Sequence, residues 1–365
     1  ALPRRAAATD NRGMRTLACL LALAALGAAE EWPLPRCDLE NTGVTKNRGP
    51  EKQPEVLWRK EEKGPIGSGA ALAGGKLVYN CGEYSMGCRM QKSGFEVWNK
   101  EVKQQVAAWP AVVDGMVYFG GQDTVHYGVN MVNMNEPCSA EAKAAIVAPP
   151  AVTGDHYFAG ALDGVFYAMS PKDGRVLWQR ETGPVRHAAA VSQGRVFVVN
   201  ESGVLHAFDV KKGGELWKHD AGARPIAAPV AGKGTVLLVL PDRVLEIDAR
   251  KGEVEKNHDL PGIAGAPALD KTRLYYGTSS GEVAAVDLKT GKELGRVKVA
   301  EEAVTTPVAL ARDVLYGAAQ ARRFAVAPKT WKVLWTHDGA AAWQPPIVAD
   351  RMLFVGAGSV FFAFQ

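Results

Sequence analysis

Seven histidines and five cysteines are the side chains of this sequence best suited to hold a metal or attack a substrate. The histidines, His126, His156, His187, His206, His219, His258 and His337, show no ligand spacing such as HxxxH, which is how one element offers two ligands to one ion. No haem-attaching CxxCH, phosphate-cradling Walker loop or zinc-binding HExxH occurs. The expectation is therefore no catalytic residue and no metal site. His219, His258 and His337 read as solvated outer-strand residues, and His156 and His206 as packing or hydrogen-bonding ones. His126 lies in an irregular stretch that the pattern does not place.

Cys19 belongs to "MRTLACLLALAALGAA" (14–29), where a basic residue follows Met14, an apolar run extends from Leu17 to Leu26 and small residues precede Glu30. This is the layout of a secretory signal peptide, and the run is too short to cross a bilayer comfortably. The expected organisation is an untranslated or disordered lead (1–13), a cleaved signal (14–29), an N-terminal extension (30–54) and a periplasmic or secreted domain (55–365). Cys19 stands at the front of the apolar run, so no lipid anchor is expected. An even set then remains: Cys37, Cys81, Cys88 and Cys138. In an exported protein this is compatible with two disulfides, for which the expectation is Cys81 with Cys88 across a hairpin loop and Cys37 with Cys138; free thiols are the plain alternative.

A composition of 47% hydrophobic and 22% charged residues with 39 glycines is that of a globular, turn-rich chain. The net charge of +4 owes much to Arg4, Arg5, Arg12 and Arg15, set against Asp10, in the leader. No basic stripe interleaved with aromatics calls for nucleic acid or an anionic membrane.

The elements that position these residues repeat. "SGVLHAFDVKKGGELW" (202–217) recurs as "DGVFYAMSPKDGRVLW" (163–178), "DRVLEIDARKGEVEKN" (242–257), "SGEVAAVDLKTGKELG" (280–295) and "ARRFAVAPKTWKVLW" (321–335). Upstream of each lies an Ala/Pro-rich phrase whose marker residues are Ala70, Pro110, Pro150, Ala189, Pro229, Pro267, Pro307 and Pro346, spaced 38 to 40 residues apart. Four short alternating strands per unit at this period predict an all-β, eight-bladed β-propeller of four-stranded antiparallel blades, WD40-like in architecture. A Trp stands 28 residues after the marker (Trp98, Trp178, Trp217, Trp335), suited to filling the wedge between diverging blades. Cys138, Asn257 and Gly295 occupy that slot elsewhere, so three blades are expected to lack the aromatic. The last unit stops after its third strand, and "EVLWRKEE" (55–62) is the expected fourth, sealing the ring.

At the hub, positions two before the marker are mostly small. The bulky or polar residues there and beside them, Trp109, Arg186, His187, Arg224, Trp343 and Gln344, are the candidates to line a channel mouth, either as a plug with ordered water or as a small-ligand or peptide site. Blade two, "QDTVHYGVNMVNMNEPCSAEAKAA" (122–145), departs most from the template.

The phrases "SGEVAAVDLKTGKEL" and "DGRVLW" resemble the repeats of the pyrroloquinoline-quinone-type (PQQ-like) β-propeller family. "WPLPRCDLENTGV" (32–44) resembles the opening of exported bacterial members through Trp32, Arg36, Asp38, Thr42 and Gly43, with Cys37 where Gly is usual. The resemblance implies the fold and two functional directions. Quinoprotein dehydrogenases of this family stack PQQ on a Trp floor with calcium, a catalytic Asp and commonly a bridge between adjacent cysteines. Other members, BamB-like, are non-catalytic scaffolds. No Cys-Cys pair and no long insertion occurs here, so the expectation is a non-catalytic exported scaffold with protein partners in the cell envelope and no cofactor. The alternatives are a PQQ-dependent dehydrogenase-like enzyme using PQQ and calcium, or a ligand-sensing propeller.

Overall fold

The computed structural model describes residues 30–82, 84–102, 105, 106, 108–136, 138–339, 341 and 344–365; the expected lead, the signal peptide and Trp343 lie outside them. Eight four-stranded antiparallel blades surround a common axis, the seventh extended by the two-residue strand Val44–Thr45, which pairs parallel with its innermost strand, and the described residues contain no helix. The fold is the expected eight-bladed β-propeller. In blade four the strands run outward in chain order as Ala190–Ser192, Arg195–Val199, Val204–Asp209 and Glu215–Asp220. The second strand, RVFVV, is buried along its length after Arg195, because neighbouring blades cover both faces of each sheet. In the outermost strand, ELWKHD, the one buried side chain is Trp217. Between the last two strands Asp209 accepts from the amides of Lys211 and Lys212 at 3.1 and 2.7 Å, and Gly213 takes a φ of 63°. A short carboxylate and a residue free to adopt positive φ are what this turn requires.

The ring closes as the sequence predicts. Val56–Glu61 pairs antiparallel with Val360–Phe364, placing Trp58 opposite Ala363. Just beyond this strand the buried Glu62 accepts from the Tyr79 hydroxyl at 2.6 Å and from Arg89 Nε at 2.7 Å, which fastens the seam to blade one.

Each blade docks on the turn between the third and fourth strands of the next. Trp58, Trp98, Trp178 and Trp217 donate their indole N–H to the carbonyls of Gln91, Met131, Val210 and Ala249 at 2.7 to 3.1 Å. Trp335 donates to Pro50 at 2.8 Å, because the N-terminal segment supplies the turn that blade eight lacks. A glycine usually makes room for the ring: a Cβ on Gly213 would stand 2.3 Å from Trp178.

The three slots without Trp keep a hydrogen bond by other means. The Cys138 thiol reaches the Pro171 carbonyl at 3.3 Å, beside the Tyr118 hydroxyl at 3.1 Å. Lys256, next to Asn257, donates its ammonium to Leu288 at 3.0 Å. Between blades six and seven the arrangement is reversed: Trp331, in the turn at a φ of 56°, donates to the Leu294 carbonyl at 3.1 Å, and its ring occupies the space over Gly295. The expected loss of the aromatic at this interface is thus a relocation.

The N-terminal extension forms a collar inside the ring. An innermost strand leaves one edge of N–H groups facing the channel, and such groups need partners. Carbonyls of Trp32, Pro33, Leu39, Glu40, Thr42, Gly43 and Arg48 accept from Leu72, Val112, Val191, Ala231, Leu269, Leu310 and Arg351, taking blades one, two, four, five, six, seven and eight in turn. Leu34 packs into the apolar cluster shared by blades two and three.

Candidate binding site at the channel mouth

The mouth lies where the chain crosses from the outer strand of one blade to the innermost strand of the next. Ala108, Ala148 and Ala227 are buried there, as crowding at the axis demands. A cavity of about 180 Å³ remains, lined by Trp109, Arg186, His187, Ile226, Pro307 and the collar residue Arg36, among others. The Trp109 ring lies against Gly69, where a Cβ would stand 2.6 Å away.

Arg36 closes the cavity from below. Its guanidinium donates to the carbonyls of Pro267 at 2.5 Å and Val308 at 3.2 Å. Burial lowers its pKa to about 10, so it stays charged at neutral pH. Gly43 is obligatory beside it, since its φ is 65° and a Cβ would lie 2.2 Å from Arg36 Nη2. Cys37, where Gly is usual, sits at a φ of 78°, which explains that preference. Asp38 accepts from the Thr42 amide at 2.8 Å and from its hydroxyl, and burial raises its pKa. Asn41 donates to the Ala189 and Pro229 carbonyls, both at 3.1 Å.

At the rim, Arg186 Nε and Arg224 Nη2 share one oxygen, Glu201 Oε1, at 2.6 and 2.8 Å. His187 is half-buried and hydrogen-bonds the main chain of Pro225; burial lowers its pKa, and the flanking arginines lower it further.

The structure therefore brings Trp109, Arg186 and His187 into one cavity, with Arg224 at its edge. Gln344 goes elsewhere: buried, it donates to the Gly67 carbonyl and ties blade eight to blade one. Arg36 was missed as a site residue, although its place in the "WPLPRCDLENTGV" motif carried the signal. A larger hollow of about 270 Å³ at the outer rim, lined by Tyr275, Leu294, Trp331 and others, balances Arg273, Arg312 and Lys329 with Asp270 and Asp313.

Among the described residues the four cysteines, Cys37, Cys81, Cys88 and Cys138, are unbridged. Cys88 faces Val78 and Trp98 across its strands whereas Cys81 faces Ile66, a different register, and Cys37 lies in the collar while Cys138 is on an outer strand. His126 is buried between blades two and three with Nδ1 3.2 Å from the Tyr157 hydroxyl, and burial pushes its pKa down to about 3. His258 is not solvated as expected: it is buried, with Nε2 3.1 Å from Glu246. His206 hydrogen-bonds Glu215 at 2.8 Å. Among the described residues no three His, Cys, Asp or Glu side chains converge on a cation site.

A closed ring of eight antiparallel blades, plugged from within and carrying one shallow cup on its axis, defines the class: a PQQ-like β-propeller. The chain belongs to the family described as "Outer membrane protein assembly factor BamB", whose model matches residues 51–136 and 179–363. A comparison with curated proteins gives no match. Among solved structures it is similar to the computationally designed Ika8 protein, with 17% identity over 85% of this chain and 99% of that one and a TM-score of 0.78. It is similar to BamB from Moraxella catarrhalis, with 12% identity over 86% and 100% and a TM-score of 0.69. It is also similar to the quinohemoprotein alcohol dehydrogenase of Comamonas testosteroni, with 11% identity over 94% and 82% and a TM-score of 0.77. These likenesses share the fold and span both functional directions.

The residues at the mouth do not fit a stacked quinone with its calcium. The collar fills the channel, and the remaining 180 Å³ is below the roughly 300 Å³ at which ligand pockets begin. The donors at its floor are a guanidinium and main-chain groups, where a calcium ion wants several oxygens.

Proposed function

We propose that this protein is an exported, non-catalytic scaffold that binds protein partners in the cell envelope, as the family description suggests. The observation that carries the reading is the collar: the chain's own residues 32–48 occupy the channel, so what the disc offers outward is surface and a shallow cup. Rigidity supports this role, because every blade is tied to its neighbour and positions its loops without moving them. Export follows from the layout of residues 14–29, and Glu30 fits as the first residue of the mature chain, its carboxylate accepting from the Asp350 amide at 2.6 Å.

Photocrosslinkers placed at Arg224 and at Phe95, a residue 70% exposed on a turn of the opposite face, test the reading in cells. Discrete protein adducts from either face are expected. A rise in melting temperature with PQQ and calcium, accompanied by reduction of an artificial electron acceptor, would overturn it.

A further inference from the structure

We infer that the cup at the channel mouth captures an apolar chain end through its carboxylate: the C-terminal residue of a partner polypeptide. This deepens the scaffold reading and rests on it. Three guanidinium groups, Arg36, Arg186 and Arg224, gather here against two carboxylates. Glu201 is shared between two of the arginines through one oxygen, and Asp38 accepts from the Thr42 amide and hydroxyl while its charge also acts on Arg36, so three guanidinium groups face two carboxylates. The Arg36 guanidinium hydrogen-bonds the main-chain carbonyls of Pro267 and Val308, so the positive charge at the floor has no carboxylate hydrogen-bonded to it. Such a site attracts an anion more strongly than an exposed arginine does, because the surrounding wall excludes water.

The walls are apolar: Trp109, Pro149, Ile226 and Pro307. At about 180 Å³ the cup has room for one residue and lies below the size of pockets for larger ligands. Its place on the axis, ringed by crossing loops, favours a chain end over an internal acidic residue, whose flanking backbone would have to clear the loops on both sides. His187 supports the same geometry. Its ring hydrogen-bonds the Pro225 main chain and lines the cavity beside Arg186.

The test uses the mature protein, residues 30–365, titrated by calorimetry with a pentapeptide ending in Leu, its C-terminal amide, and N-acetyl-leucine. The free-acid peptide is expected to bind at least ten-fold more tightly than the amide, to weaken with added salt, and to lose about ten-fold on R186Q/R224Q, a surface pair whose removal leaves the ring intact. Equal binding of acid and amide, or indifference to the double variant, overturns the inference. So does N-acetyl-leucine binding as tightly as the peptide, which would assign the cup to a free small acid. Crosslinking in cells is independent: adducts without peptide binding sink this inference and leave the scaffold standing. Binding of N-acetyl-leucine without adducts sinks both.

Discussion

Between blades three and four, Trp178 projects from an outer strand onto a turn that carries Gly213; between blades six and seven, Trp331 projects from the turn onto an outer strand that carries Gly295. In both, one indole fills the wedge, one glycine vacates it and one main-chain carbonyl receives the N–H. The interface constrains the sum of volume and donors, and leaves open which blade supplies which part. The interfaces at Cys138 and Lys256 relax this further, keeping the hydrogen bond while giving up the indole, and at Cys138 the Tyr118 hydroxyl joins the thiol on the same carbonyl.

Four measurements bear on this comparison. The largest effect is expected from Trp178→Ala, which empties the regular wedge and should cost about 3–5 kcal/mol in urea unfolding. The sharpest test is a double-mutant cycle at the reversed interface. Gly295→Trp drives a side chain into Trp331, since a Cβ there already falls 2.0 Å from its Nε1, and Trp331→Gly leaves a void. Each should destabilise by about 2–3 kcal/mol, and the pair together should recover at least about 1 kcal/mol of the combined loss. Additive losses would mean the two interfaces are not interchangeable.

At the thiol interface, burial raises the Cys138 pKa, with Asp173 and Glu136 adding to it. The folded state holds its proton more firmly than the unfolded chain, whose thiol ionises near 9.0. That contribution is therefore full below pH 9 and is lost as the pH rises through the folded pKa. Unfolding midpoints at pH 8 and pH 10 should diverge less in Cys138→Ala than in the parent, and the substitution should cost about 1 kcal/mol at pH 8. The smallest effect belongs to Lys256→Met: the side chain is 43% exposed, and the loss should stay below about 1 kcal/mol.

What the sequence displays is whatever repeats. Eight markers at a near-constant step fixed the blade count, and an unmatched strand around Trp58 announced the closure. Trp331 was harder to read, because it falls four residues before the slot that Trp335 occupies; comparison of "PKTW" with "LKTG" one unit earlier marks it as a turn glycine replaced. The collar has no repeat at all. Its hydrogen bonds run from irregularly spaced residues between Trp32 and Arg48 to seven different blades, so no local spacing encodes them, and Arg36 became a site residue only when Pro267 and Val308 were brought to it. Trp109, Arg186 and His187 were legible because the axis enforces small residues and exceptions stand out. Gln344 is such an exception spent on packing.

Residues 30–61 complete two structures at once, the collar and the outer strand of blade eight, and both need the carboxyl-terminal blade in place. Contacts this distant in sequence are slow to form. Until they do, seven sheets show bare inner edges to any passing strand, so the segment that emerges first is the last to find its partners. Dilution, or a holding chaperone in the compartment where the chain folds, should raise the yield of native protein far more than it changes the stability of the finished ring.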